Sequence, residues 1–137
     1  MVKGHDGLLL VGRFLLVLLF LVFGVQKLDY ASTVHYMMQV GAPLPGLAAV
    51  VAIVMETLVP LAIFIGLATR PLALLLALYT LGTAIVAHHY WSMSGMARYE
   101  NEINFFKNVS IIGGLLLLYV SGAGAYSIDA RRRERQA

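Results

Sequence analysis

Four long apolar stretches limit what this chain can fold into. They occupy residues 7–26, 47–68, 71–90 and 103–122, and each consists mostly of aliphatic, aromatic and small side chains. A helix needs about 20 such residues to cross a hydrocarbon core ~30 Å thick, because backbone groups in lipid must pair within their own segment. The stretches therefore predict an all-α integral membrane protein built as a bundle of four transmembrane helices.

Composition supports the same fold class. Of the 137 residues, 60% are hydrophobic and 12% are charged, and the mean hydropathy is +0.81. A soluble fold of this length would need far more polar surface, so a single membrane domain over residues 1–137 is predicted. The chain has no cysteine, which excludes a disulfide framework and a thiol redox pair. Any electron chemistry would therefore need a bound cofactor or substrate.

The connections and the basic residues predict a topology. Only a few residues separate the second and third stretches, which indicates an antiparallel hairpin within an up-and-down bundle. With four spans, seven basic residues fall on one side and three on the other, which places both termini in the cytoplasm. Four of the seven lie in the tail 130–137, which we interpret as a topology and lipid-surface signal rather than a nucleic-acid site.

Three ionisable residues lie inside the predicted spans, where each costs about 2.5–3.5 kcal/mol unless it has a partner or a function. Glu56 is about 13 Å along the second helix at 1.5 Å per residue, close to the midplane. Arg13 and Lys107 lie in the first and fourth stretches, and either long side chain is expected to reach Glu56. A buried pair or triad is therefore predicted.

Helical spacing places polar residues of the first and fourth stretches on shared faces. With Glu56 they are predicted to line one cavity that opens outward, although the charges would also suit a structural role in holding helices in register. Lys27 has a second interpretation as a cap whose amine reaches the membrane surface. The predicted lining residues are Arg13, Lys27, Glu56, Asn104, Lys107 and Asn108.

His88 and His89 end the third stretch near two glutamates, and such a set could bind a metal or relay protons. Their spacing matches no zinc pattern, so they remain weak metal candidates and are interpreted as interfacial histidines. The hydroxyls of Tyr79, Thr80 and Thr83 in the same stretch are interpreted as helix-packing groups.

Several short motifs follow one another along the chain: Gly12-Arg13, Phe20 to Gly24 with Lys27, Glu56, Gly66, Arg70-Pro71, Phe105-Phe106-Lys107-Asn108, Gly113-Gly114 and Gly122-x-Gly124-x-x-Ser127-x-Asp129. Their order and spacing resemble the DoxX family of small bacterial membrane proteins. The resemblance runs over nearly the whole chain and implies a multi-pass inner-membrane protein associated with oxidoreductase systems, including quinone-linked thiosulfate oxidation and thiol or oxidative-stress defence. It fixes no particular reaction, so whether the protein is an enzyme stays open.

The leading hypothesis is a membrane subunit that binds a quinone or a similar lipophilic redox molecule between its helices. Lys107, Asn108 or Arg13 would donate to the carbonyl oxygens of the head group, and Glu56 would exchange a proton. No motif for haem, flavin or iron–sulfur ligation is evident, so a redox partner protein or a reduced substrate is expected to supply electrons. Two alternatives remain: a non-catalytic scaffold or chaperone for partner transmembrane helices, and a small transporter or lipid-binding protein.

Overall fold

The computed structural model describes residues 3–136, in which helices are joined by short turns and no strand occurs. Met1 and Ala137, which the sequence predicts to be cytoplasmic, lie outside the described residues. A short 3₁₀ turn, Tyr90–Ser92, follows the fifth helix. The α-helices are α1 Lys3–Gln26, α2 Tyr30–Gln39, α3 Pro45–Glu56, α4 Leu58–Ile65, α5 Thr69–Ala87, α6 Gly95–Ser121 and α7 Ile128–Gln136.

Four helical segments are long and apolar enough to cross a bilayer. They are Gly4–Gln26, Pro45–Ile65, Thr69–Ser92 and Gly95–Ser121. The all-α class and the four spans predicted from the sequence are therefore confirmed. The fourth span, α6, begins at Gly95, ahead of the predicted 103, because its polar first turns continue the same helix beyond the apolar stretch.

The second span is broken at Thr57 into α3 and α4. Thr57 has φ −120° and ψ −68°, outside helical values. Pro60 follows four residues after Glu56; it has no N–H to donate to the Glu56 carbonyl, and its ring disfavours a regular helix at that carbonyl. The backbone carbonyl of Glu56 therefore lacks the usual helical hydrogen bond from residue 60, and this occurs at the same height in the bundle as the Glu56 side chain.

Helix α1 crosses this break in direct backbone contact. A Cβ on Gly24 would overlap the carbonyl oxygen of Glu56 and would lie 3.0 Å from the Thr57 side chain. Glycine is therefore required for this approach, as small residues are in other close crossings of membrane helices. The crossing carries the end of α1, with Lys27, to the side chain of Glu56.

The core is an apolar cluster shared by the helices of all four spans. Val17 of α1, Ile63 of α4, Leu76 of α5 and Leu115 of α6 are each fully buried. Many large apolar side chains point outward instead, such as Leu117, which is 73% exposed. Such a surface suits lipid and would aggregate in water.

Helix α2, which lies between the first two apolar stretches, was not predicted from the sequence. Asp29 precedes it as an N-cap, accepting from the backbone N–H of Ser32 at 3.4 Å and from the Ser32 hydroxyl at 2.6 Å. The Thr33 hydroxyl donates to the Lys27 carbonyl at 2.8 Å. These bonds hold α2 against the end of α1, where it forms one side of a pocket.

Candidate functional site

A pocket of about 500 Å³ lies between α1, α2, α3, α5 and α6. Its walls are mainly apolar, from residues such as Phe20, Phe23, Met37 and Val51. We call it the Glu56 pocket. Its polar and ionisable lining residues are Lys27, Tyr36, Glu56, Tyr79, Thr80, Thr83, His88, Asn104, Lys107 and Asn108.

Both carboxylate oxygens of Glu56 are bound in the wall of this pocket. The Lys27 ammonium lies 2.7 Å from Oε2, and the Tyr79 hydroxyl donates to Oε1 at 2.6 Å. The Lys27 and Glu56 side chains are 23% and 12% exposed, so the pair is largely withdrawn from solvent but still reaches the pocket. An acid, a base and a phenol therefore meet at one point.

The partner of Glu56 differs from the sequence-based expectation. A pair or triad with Arg13 or Lys107 was predicted, and this is wrong, because the cation at Glu56 is Lys27. The close crossing at Gly24 explains the choice, since it brings the end of α1 to the helix break beside Glu56. Lys107 instead donates to Asn104 Oδ1 at 2.7 Å.

Tyr79 is the functional candidate that sequence reasoning passed over as a packing group. It lies on α5, four residues before Thr83, so both hydroxyls face the same side of the helix. This four-residue spacing was the signal in the sequence that the two hydroxyls share one side of the helix. Nothing in the sequence indicated that this side faces Glu56.

Further polar groups of the lining come from α5 and α6. Asn108 is 7% exposed and its amide donates to the Thr83 hydroxyl at 3.4 Å. Lys107 and Asn104 sit beside it as an exposed pair in the lining. Five of the six predicted lining residues therefore share this pocket, and Arg13 does not.

His88 and His89 lie directly after the end of α5. The Nδ1 of His88 is 3.0 Å from Asn101 Oδ1, and the Nδ1 of His89 is 2.8 Å from the Val86 carbonyl. Over residues 3–136, no group of three or more His, Cys, Asp or Glu side chains is arranged to hold a metal ion. His88 contributes to the pocket lining as a polar group.

Arg13 belongs to a separate site at the other end of the bundle. It is 2% exposed and donates to the backbone carbonyls of Phe64 at 3.1 Å, Tyr126 at 2.8 Å and Ala123. Two of these acceptors belong to the segment 122–127 that follows α6. The predicted cavity role of Arg13 is thus replaced by a structural one, because its guanidinium fork matches several carbonyls at once.

Asp129 fixes the same C-terminal segment to the start of α5. Its carboxylate accepts from the N–H groups of Ala68 at 2.8 Å and Thr69 at 2.9 Å. Burial acts to raise the pKa of Asp129, but these backbone N–H groups outweigh it and hold the pKa below its ordinary value. Close by, a Cβ on Gly66 would overlap the Ser127 side chain, so Gly66 is required there.

The profile of the DoxX family matches residues 8–89. The chain belongs to the DoxX family. The matched range contains Lys27, Glu56 and Tyr79, whereas Asn104, Lys107 and Asn108 lie beyond it.

The chain is also similar to curated proteins. Inner membrane protein YphA of Escherichia coli K12 is 52% identical, over 90% of this chain and 89% of YphA. Inner membrane protein YqjF of the same organism is 42% identical, over 94% of this chain and 95% of YqjF. The ER-derived vesicles protein ERV29 of Saccharomyces cerevisiae is 28% identical over 96% of this chain, which spans 36% of ERV29. No solved structure matches.

With these relatives and its four candidate spans, this DoxX-family chain is a multi-pass inner-membrane protein.

Proposed function

We propose that this protein binds a lipophilic redox molecule of the quinone class in the Glu56 pocket, as the membrane component of an oxidoreductase system. The observation that carries the proposal is the carboxylate of Glu56, bound by Lys27 at 2.7 Å and Tyr79 at 2.6 Å in the wall of a largely apolar pocket. Apolar walls with a few convergent polar groups are typical of sites for small lipophilic ligands.

The volume of the pocket suits one quinone ring with part of its isoprenoid tail. Its volume of about 500 Å³ lies within the range of small-molecule sites, ~300–1,000 Å³. The head group of a quinone has two carbonyl oxygens on opposite sides of the ring. Lys107 and Asn108 would donate to one oxygen, and Lys27, whose ammonium has further N–H groups beyond the one facing Glu56, would donate to the other.

The polar wall also supports proton exchange. Reduction of a quinone adds electrons and protons at its carbonyl oxygens, so a nearby acid with a hydrogen-bonded phenol provides a path for the proton. Glu56 would accept or release that proton through Tyr79 while Lys27 balances the charge. The electrons would come from a redox partner protein or a reduced substrate, since the sequence carries no cysteine pair and no motif for a redox cofactor.

The proposal includes an orientation in which the bundle runs up and down and both termini face the cytoplasm. The seven-to-three division of basic residues supports it. A hydrogen bond from the Ala125 N–H to Asp6 at 2.9 Å also joins the two terminal segments. Reporters active on one side of the membrane, fused to each terminus, test the orientation, and an external C-terminus would overturn it.

A binding titration tests the ligand. The purified protein in detergent is dialysed against a short-chain ubiquinone analogue, and bound analogue is measured for the wild type and for Gly82→Leu. Gly82 lines the pocket and a Cβ there meets nothing within 4 Å, so a leucine side chain can begin there without a clash and would occupy pocket space.

Gly113→Leu is the matched control, since a Cβ on this helical glycine also meets nothing within 4 Å and it lies outside the pocket lining. We expect saturable binding in the wild type and in Gly113→Leu, and its loss in Gly82→Leu. Equal uptake by all three proteins would mean that the analogue only partitions into detergent, and the proposal would fail.

A further inference from the structure

A second groove lies on the outer surface of the bundle, between α1 and α6. It has a volume of about 750 Å³ and is separate from the Glu56 pocket. Leucine and valine side chains, among them Leu8, Leu9 and Leu117, form its walls. Three polar residues are in the lining: His5 and Ser121 at the end nearest the termini, and Arg13, whose guanidinium is already bound to backbone carbonyls. We call it the α1–α6 groove.

The depth of this groove comes from a missing side chain. Gly12 lies in the lining, and a Cβ there would meet nothing within 4 Å. Farther along the helices the space closes, because the Leu16 side chain lies 2.9 Å from the position of a Cβ on Gly114. The groove is therefore open from His5 past Gly12 and is blocked at Leu16.

The length of the open part matches one leaflet of a membrane. From His5 to Leu16 the helix rises roughly 16 Å at 1.5 Å per residue. This is about half of a hydrocarbon core ~30 Å thick. A partner's transmembrane helix would need a groove over the full thickness, whereas an acyl chain of a single leaflet needs only this length.

The charge around the mouth of the groove is positive. Arg70 is exposed and its Nη2 donates to the carbonyl of Val120, a lining residue, at 3.2 Å. Two of the nearby acidic groups, Asp6 and Asp129, are already bound to backbone N–H groups. Helix α7, which Asp129 joins to Ala68 and Thr69 next to Arg70, carries four exposed arginines: Arg131, Arg132, Arg133 and Arg135.

We propose that the α1–α6 groove is a binding site for an anionic glycerophospholipid. One acyl chain would lie along Gly12 between the two helices, and the phosphate would lie at the mouth with Arg70, His5 and Ser121. The complementary charge favours a lipid with a net negative head group, such as phosphatidylglycerol, over a zwitterionic one. The site is independent of the ligand proposed for the Glu56 pocket.

Native mass spectrometry of the purified protein tests this site. Delipidated protein is titrated with dioleoyl phosphatidylglycerol or dioleoyl phosphatidylcholine, and the fraction carrying one bound lipid is measured. We expect phosphatidylglycerol to bind about tenfold more tightly, which corresponds to ~1.4 kcal/mol. Equal affinity of the two lipids in the wild type would overturn the proposal, and this comparison needs no variant.

Two pairs of variants locate the site. Gly12→Phe fills the groove, and Gly113→Phe is its control on an exposed helical glycine that also has open space beside it. Arg70→Gln removes the charge at the mouth, and Arg98→Gln removes one at the far end of α6. We expect Gly12→Phe to lose the tight lipid and Arg70→Gln to weaken phosphatidylglycerol by about fivefold.

Both controls should bind phosphatidylglycerol as the wild type does. Undiminished binding in Gly12→Phe, or equal losses in a variant and its control, would contradict the proposed site. The protein eluting as a dimer whose contact is broken by Gly12→Phe would likewise contradict it, since a second copy would then occupy the groove.

Discussion

The backbone carbonyl oxygen of Glu56 occupies the space in which a side chain on residue 24 would begin, so that only Gly24 allows α1 to pass the break in the second span. This contact fixes the position of α1 along the axis of α3. It places Lys27, three residues beyond Gly24, with its ammonium 2.7 Å from the Glu56 carboxylate. The ion pair in the pocket therefore depends on a backbone contact outside it.

Replacing Gly24 by alanine should destabilise the protein. The added methyl would overlap the carbonyl of Glu56, and forcing extra atoms into a closely packed contact typically costs about 1–3 kcal/mol. Thermal unfolding of the detergent-solubilised protein measures this loss. Gly12→Ala is the control, because a methyl there meets nothing within 4 Å, and it should unfold at or above the wild-type temperature. Equal stability of the two variants would contradict the close crossing.

The ion pair can be tested by a double-mutant cycle. Glu56→Gln leaves the Lys27 ammonium, only 23% exposed, without its carboxylate, and breaking such a pair from one side costs about 3 kcal/mol or more. Adding Lys27→Met should recover much of that loss in thermal stability. Lys107→Met on the same background should recover none, because Lys107 is bound to Asn104. If Lys107→Met restored the stability of the Glu56→Gln protein and Lys27→Met did not, the assigned pair of Lys27 with Glu56 would be wrong.

The sequence was sufficient for the parts of the fold that depend on hydrophobicity and length. Four apolar stretches predicted the four spans, since few alternatives satisfy the backbone in lipid. Glu56 stood out for the same reason, as a charge too deep to reach either surface. The ends of the spans were less certain, because polar first turns such as those at the start of α6 carry no hydrophobic signal.

The partner of Glu56 could not be predicted from depth along straight helices. Arg13 and Lys107 have suitable positions in the apolar stretches, whereas Lys27 lies just beyond the first one. The structure selects Lys27 through the break at Thr57 and the contact at Gly24, which are tertiary features. The role of Arg13 was missed because its acceptors are backbone carbonyls, which have no sequence signature.

Replacing Arg13 by lysine should release the segment 122–127. A lysine amine cannot reach the three carbonyls that the guanidinium bridges, and each buried carbonyl left unpaired costs about 1–3 kcal/mol. Hydrogen–deuterium exchange of the amides in this segment should therefore become faster. Arg70→Lys is the control, since exposed Arg70 donates only to Val120 among the described residues. Unchanged exchange in Arg13→Lys would mean that Arg13 does not hold the segment.

Asp129 should make the stability of the protein depend on pH in the acid range. Its pKa in the folded protein lies below the ordinary value of 3.8, because bonds from the Thr69 and Ala68 N–H groups outweigh the effect of burial. The stability it contributes is therefore fully present above about pH 4 and is lost as pH falls through the lower, folded-state pKa.

The midpoint of thermal unfolding, measured from about pH 6 to about pH 3, tests this dependence. Asp129→Asn should lower the midpoint at neutral pH and flatten its fall in acid. Glu134→Gln, on an exposed residue of α7, should behave as the wild type. A wild type and an Asp129→Asn variant with the same acid dependence would contradict the role of this carboxylate as a cap.

The central claim is that the Glu56 pocket holds a lipophilic redox molecule. The most direct measurement is mass spectrometry of the organic extract from protein purified with its native lipids, compared between the wild type and Gly82→Leu. The account predicts a quinone in amounts stoichiometric with the wild-type protein, and its loss from Gly82→Leu but not from Gly113→Leu. No quinone in the wild type, or equal amounts in all three proteins, would contradict it.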